Sequence, residues 1–247
     1  MPATPAWPPD SAPRLFIAIP LAAGGAVMLD AAQANYLVNV MRLKAGAAVR
    51  VFDDANGEFA ATLAIAGRRD VRLAIGARLR AREAVPDLWL LFAPIKRARV
   101  DWLAEKACEL GVARLVTVLT RRTVIDRLNL DRLRAHMIEA AEQCGRTALP
   151  TLGEPIALPA LLRSWEPARA LVFADEEGGV PLGAAAPPPP AALLIGPEGG
   201  FDAEERAAIR DLPSAIPVSL GPRILRAETA ALAAIGIWMA TNGDWRG

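Results

Sequence analysis

From residue 87 the chain repeats one pattern: a short, wholly apolar run, a turn residue, then a segment whose apolar positions have helical spacing. The runs are DLWLLFAPI (87–95), RLVTVLT (114–120), RALVFAD (169–175), AALLIG (191–196) and IPVSLG (216–221). Each is short and lacks polar alternation, so both of its faces must be covered, as in a parallel sheet flanked by helices. VDWLAEKACELG (100–111), DRLRAHMIEAAEQCGR (131–146), DAEERAAIRD (202–211) and a segment from Glu228 to Thr241 supply those helices. Gly111 is placed to end the first, and Asp202 with Glu205 three residues on forms a capping box for the third. An α/β domain follows. AAAPPPP (184–190) cannot lie inside a sheet and reads as a surface connection.

Before residue 82 the rule changes. RLFIAIP (14–20) reads as a strand, 30–42 as a short helix, and 47–54, 58–66 and 70–79 as three strands. DDANGE between the first two of those three is a hairpin signal. This predicts a compact, mostly β module, with 1–13 a Pro-rich tail and 81–87 a linker. Residues 1–82 carry ten Arg or Lys against six Asp or Glu, while the remainder is slightly acidic. On charge alone, a basic module and a general richness in Arg (25 Arg to 3 Lys) stand level. No apolar run approaches a membrane span, and MPATPAWPPDSAP lacks the charge and apolar stretch of a secretory leader. Cys108 and Cys144 fall in predicted helices and make neither a metal pattern nor a disulfide framework, so a reducing cytoplasm is expected.

Three strand ends carry unusual chemistry: FADEEGG, GPEGG and GPRILRAET. Open α/β sheets bind ligands at the carboxyl ends of their strands, and glycine lets main chain approach a ligand closely. One such loop could serve only as a tight turn; three in one half of the chain point to a shared pocket. The dinucleotide and phosphate-loop glycine patterns are absent. His136 is the only histidine, so no Ser-His-Asp arrangement is available, and no metal-ligand spacing occurs. The ligand is therefore expected to be a cofactor read by main-chain groups and apolar walls, without metal.

IGPEGGF followed by SLGPRILRAETA strongly resembles the RsmE family of the SPOUT class, the S-adenosylmethionine-dependent RNA methyltransferases with a knotted α/β domain. APIKRARVDW, EKACELGV, RRTV and EAAEQCGR match in order, and RLFIAIP with the NYLVNVMRLKAGAAVRVFDD region resembles the family's PUA-like β-barrel. The resemblance implies a PUA-like RNA-binding barrel over 14–82 and a methyltransferase domain over 86–247 ending in a trefoil knot. It further implies a homodimer and, as substrate, a uridine of 16S ribosomal RNA in the small subunit, methylated at N3. Gly196, Gly199 and Gly200, with Ile195 and Pro197, would wrap the cofactor. Leu220, Gly221, Ile224 and Leu225 would bed its adenine, with Phe173 as a further wall. Arg226 and Arg223 would stabilise the uracil anion or grip a phosphate, with Glu198 or Glu228 orienting them or taking the proton. Arg42, Lys44, Lys96, Arg121, Arg122 and Arg146 are the expected RNA contacts, Arg146 grouped with Glu142 and Gln143.

Tyr36 stands where many relatives are expected to carry His, and VMR replaces VLR. Two rival readings share these residues: a SPOUT enzyme methylating the ribose 2′-hydroxyl of tRNA or rRNA, and a non-catalytic RNA-binding protein.

Overall fold

The computed structural model describes residues 8–9, 11–67, 70–95, 97–123 and 128–246. The chain divides into two compact units, residues up to Ala84 together with Glu142–Ala148, and Val85–Ala141 together with Leu149–Gly247.

The first unit is built on a five-stranded sheet. In chain order come β1 (Arg14–Phe16), β2 (Ala26–Met28), α1 (Ala31–Asn35) continued by a π turn over Tyr36–Val40, β3 (Ala48–Asp53), β4 (Gly57–Gly67) and β5 (Asp70–Arg80). The order in space is β1-β3-β4-β5-β2, antiparallel except for the β1–β3 pair. Alternate residues point inward: Val49 and Val51, then Phe59, Ala61 and Leu63, then Val71, Leu73 and Ile75 fill one core. The expected β3–β4 hairpin is present. Asp53, 2% exposed, accepts hydrogen bonds from the N–H groups of Ala55, Gly57 and Leu21, at 3.1, 3.2 and 2.6 Å. A buried carboxylate is tolerated here because donors from the turn and from Leu21 surround it. Two expectations shorten: the strand from Arg14 ends at Phe16, and the helix after Asp30 changes to a π turn at Tyr36.

The second unit holds a seven-stranded parallel sheet in the order β10-β12-β9-β11-β6-β7-β8. Its elements are β6 (Leu88–Phe92), α2 (Arg97–Glu109), β7 (Arg114–Leu119), α3 (Leu130–Cys144), β8 (Thr151–Ala157), α4 (Leu158–Arg163), β9 (Ala170–Ala174), β10 (Val180–Pro181), α5 (Leu182–Ala185), β11 (Ala191–Ile195), α6 (Ala203–Arg210), β12 (Ala215–Ser219) and α7 (Ala227–Asn242). The five apolar runs all become strands, and β11 is buried at every residue. Helix ends follow their local signals. Gly111 (φ +92°) donates to Cys108 O and Val112 to Ala107 O, a Schellman stop. Asp202 and Glu205 make the reciprocal capping box.

Covering the sheet requires apolar stripes, and α7 shows one with helical period: Ala227, Ala230, Ala231, Ala234, Ile235 and Trp238 are buried. The connection at 184–190 stays near the surface, anchored to α7 where Trp238 Nε1–H donates to Pro187 O and Asn242 Nδ2 to Ala186 O. β8 was not anticipated, since TLGEPIA contains Gly153 and Pro155. As the edge strand it can carry a proline, and a β-carbon on Gly153 would come within 2.8 Å of Val116 Cγ2.

Candidate active site

β12, β9 and β11 are adjacent in the sheet, so the loops leaving their carboxyl ends converge although they are far apart in sequence. Between them lies a cavity of about 440 Å³, within the roughly 300–1,000 Å³ range of small-molecule sites. Ile195, Gly196, Pro197, Glu198 and Gly200 line it from the second loop; Leu220, Gly221, Arg223, Ile224 and Leu225 line it from the third.

Glycines put main chain at part of this wall. Gly221 has φ +112°, its N–H donates to Ser219 Oγ at 3.2 Å, and the space beside its α-carbon is open. Gly200 has φ +67° and its N–H closes a turn onto Pro197 O at 2.8 Å. The Glu176 carboxylate sits where a β-carbon on Gly200 would go. Gly196 is bare for a second reason, because a β-carbon there would press on the Phe201 ring at 3.0 Å.

Two predicted cofactor residues fall elsewhere. Phe173 is fully buried and packs edge-to-face on Phe201, 6.4 Å between centroids. It is a core residue and does not line the cavity. Gly199 is also outside the lining; its carbonyl accepts a hydrogen bond from Arg122 Nη1.

The charged groups divide into three. The FADEEGG loop is acidic and is gripped from α6: Arg206 pairs with Asp175 at 3.2 Å, with Glu176 at 2.8 Å and with Glu177, while Arg210 pairs with Asp175 at 2.6 Å. Arg206 and Glu176 both reach the cavity wall. On the other side Arg99, in the first turn of α2, joins Glu198 (Nη1 to Oε1, 2.7 Å) and Glu228 (Nε to Oε1, 3.4 Å). Glu228 does not line the cavity, and its Oε2 is buried with no hydrogen-bond partner among the described residues. Lastly, among the described residues the guanidinium groups of Arg223 and Arg226 have no partner, both residues being exposed. Arg226 is the N-cap of α7, its side chain leaving the helix N–H groups alone.

The expected RNA contacts scatter. Arg42 and Lys44 are exposed on the first unit, Arg42 with φ +55°. Lys96 lies outside the described residues. Arg121 is held against the start of α6: its N–H donates to Glu205 Oε1 at 2.7 Å and its guanidinium pairs with Asp202 at 3.0 Å and Glu204 at 2.5 Å. The Glu205 N–H, and then Arg121, keep the Asp202 carboxyl below its ordinary range. Arg122, exposed, braces the GPEGG loop through Gly199. Arg146 is a correction. It is only 5% exposed and pairs with Glu83 at 3.5 Å. Its carbonyl and that of Glu142 accept from Arg14, at 2.9 and 3.0 Å. The Glu142 carboxylate accepts from the Phe16 N–H at 2.9 Å. EQCGR therefore ties segment 142–148 into the first unit, and Arg146 is not presented to solvent.

Sequence reasoning located the three loops but missed Arg99, Arg206 and Glu176. DEE in the first loop was a visible signal; nothing local marks Arg99 or Arg206 among 25 arginines. Among the described residues no group of three His, Cys, Asp or Glu side chains could hold a metal, and no helix is long and apolar enough to cross a membrane.

Comparison with known proteins agrees with this geometry. A family profile described as RNA methyltransferase domain matches residues 82–239, and one described as RNA methyltransferase PUA domain matches 29–76. A Mycobacterium bovis protein named Ribosomal RNA small subunit methyltransferase E is 30% identical over 237 residues, 90% of this chain and 89% of that protein. The crystal structure of a Neisseria gonorrhoeae protein of the same name, bound to S-adenosyl methionine, superposes with TM-score 0.83 at 26% identity, covering 93% of this chain and 97% of that one. A Legionella pneumophila methyltransferase with bound SAM gives TM-score 0.81 at 28% identity over 94% of this chain and 99% of its own. The seven-stranded unit is thus a SPOUT-type methyltransferase domain and the N-terminal unit a PUA-like domain. With cavity, topology and profiles in agreement, the chain belongs to the RNA methyltransferase family that includes the Ribosomal RNA small subunit methyltransferase E proteins.

Proposed function

We propose that this protein methylates N3 of a uridine in 16S ribosomal RNA of the small subunit, using S-adenosylmethionine. The observation that carries this reading is the convergence of three strand-end loops, glycines among them, on one cavity in a chain whose relatives are named small-subunit rRNA methyltransferases. When bound, S-adenosylmethionine supplies an electrophilic methyl group on a positively charged sulfur. The cavity fits such a group: Gly221 leaves main chain bare beside open space, and Leu220, Ile224 and Leu225 offer apolar surface for adenine.

The residues divide the work by charge. Uracil N3–H is a poor nucleophile until its proton is shared, and the ring then carries negative charge. Arg223 and Arg226, unpartnered among the described residues, are free to face that charge or a flanking phosphate. Of Glu198 and Glu228, Glu198 lines the cavity and is the better placed to accept or orient a proton; Glu228, away from the wall, orients. Arg42 and Lys44 serve the RNA from the PUA-like domain, over 14–82, with the methyltransferase domain over 86–247. Arg121 and Arg122 instead hold α6 and the GPEGG loop.

The same reading makes the end of the chain a trefoil knot. It is supported by α7 lying against β6 and β11 while β12, just before it, is separated from β11 by β9. It also makes the protein a cytoplasmic homodimer. Ile224, 99% exposed at the cavity, is an apolar residue that a ligand or a second copy would cover.

The test is a deletion strain. Its 16S rRNA, digested and analysed by mass spectrometry, should lack N3-methyluridine and regain it with the gene restored. Loss of a ribose-methylated nucleotide instead would establish the 2′-hydroxyl reaction and refute this one.

A further inference from the structure

Gly196, Gly200 and Gly221 put main chain at the cavity wall, and the spacing of main chain cannot be corrected by a side chain moving. Something must hold the GPEGG loop at a set distance from the segment leading into α7. Among the described residues Arg99 is a side chain that touches both. Its Nη1 is 2.7 Å from Glu198 Oε1 on the GPEGG loop, and its Nε is 3.4 Å from Glu228 Oε1 in the first turn of α7. Arg99 is itself well anchored: the next residue, Val100, is fully buried, as are Ala104 and Ala107 on the same helix. Glu228 is enclosed, with side-chain exposure of 13%, whereas Glu198 is 55% exposed.

We propose that Arg99 is a positioning residue for the methyl donor, acting through Glu198 and Glu228 to fix the separation of two of the three binding loops. This rests on the reading of the cavity as the S-adenosylmethionine site. One guanidinium turns two carboxylates that would repel each other into a bridge. Removing it does more than delete an attraction, because it leaves Glu198 and Glu228 as neighbouring like charges. The cavity then widens on the side where Gly196, Pro197 and Leu225 form its wall. Arg99 does not line the cavity, so a change in donor affinity on its removal must travel through the loops.

The experiment is calorimetric titration of the full-length protein with S-adenosylmethionine, alongside thermal melting without ligand. Arg99→Ala should weaken binding by about three- to tenfold, the scale of a partly exposed charge bridge, while melting within ~3 °C of the wild type. Arg99→Lys, which keeps the charge but can hold only one carboxylate well, should recover part of the loss. Glu198→Gln should cost less in the Arg99→Ala background than alone, because it then also removes a repulsion. Lys106→Ala, which breaks ion pairs to Glu105 and Glu109 further along the same helix, should leave binding unchanged. Arg99→Ala binding within twofold of wild type, or strictly independent effects at 99 and 198, would overturn the proposal. A wild-type protein that fails to bind S-adenosylmethionine would instead overturn the assignment of the cavity.

Discussion

Gly200 is the position where cavity shape and backbone chemistry meet most directly. It ends the turn that starts at Pro197, with φ +67°, and the Glu176 carboxylate occupies the place of a β-carbon. Gly200→Ala therefore meets two costs. Holding alanine in the left-handed region costs about 1–2 kcal/mol. Moving Glu176 aside breaks its 2.8 Å pair with Arg206, but that carboxylate is 54% exposed, so solvent screening limits the contribution to about 0.5 kcal/mol. The total, about 1.5–2.5 kcal/mol, corresponds to a fall in melting temperature of roughly 3–10 °C for a chain of this length. Differential scanning calorimetry with and without S-adenosylmethionine reads both parts. The variant should melt lower, and the donor should raise its melting temperature less than the wild type's, because Gly200 and the Glu176 carboxylate it would displace both line the cavity. In a Glu176→Ala background only the backbone cost should remain. A melting temperature within ~1 °C of wild type would show that the turn needs no left-handed residue, and the reasoning would fail. Equal penalties in the two backgrounds would remove the Glu176 contact from it.

Other outcomes follow from the same geometry. Arg226→Ala should lower transfer of labelled methyl into 16S rRNA by roughly a hundredfold or more, without lowering the melting temperature; retained turnover would end the role assigned to Arg226. Glu58, whose side chain is 3% exposed between Arg14 (2.5 Å) and Arg80 (2.9 Å), supports the N-terminal domain. Glu58→Gln should cost about 1–2 kcal/mol in urea unfolding, since it removes the charge from two ion pairs while Arg14 keeps its bonds to the Glu142 and Arg146 carbonyls. Burial pushes the Glu58 carboxyl up, but hydrogen bonds from Arg14 and Arg80 outweigh it and hold the group below its ordinary range. A folded-state value below the unfolded one means the stabilisation is present above about pH 4.3 and lost as pH falls further, so the wild-type and Glu58→Gln curves should converge in acid. Trp238→Phe removes the Nε1–H donated to Pro187 O at 2.9 Å and should cost about 1–3 kcal/mol, read from the urea midpoint.

Much of the fold was readable residue by residue because its signals are local. The run AALLI needs cover on both faces wherever it lies, and it became the buried centre of the sheet. Gly111 and the Asp202–Glu205 pair act on the backbone within a few residues, so their helix ends appeared where expected. β8 was missed because Gly153 and Pro155 look like breakers; at an edge, beside Val116, both are accommodated. Phe173 and Arg146 were misplaced for a related reason. Residue type identifies an aromatic wall or a basic contact, but whether the side chain faces a cavity, a core or a neighbouring carboxylate depends on what packs against it. Phe173 meets Phe201 and Arg146 meets Glu83.

By itself, then, the sequence determined the alternation of strand and helix, the helix caps and the glycine-bearing loops, all set by hydrophobic period and backbone geometry over short spans. Only the tertiary structure decided that β12, β9 and β11 lie side by side, and that Arg99 bridges Glu198 to Glu228 while Arg206 gathers Asp175, Glu176 and Glu177. Those pairings join residues far apart along the chain. Their energy depends on distance and burial, which exist only once the sheet has brought the strand ends together.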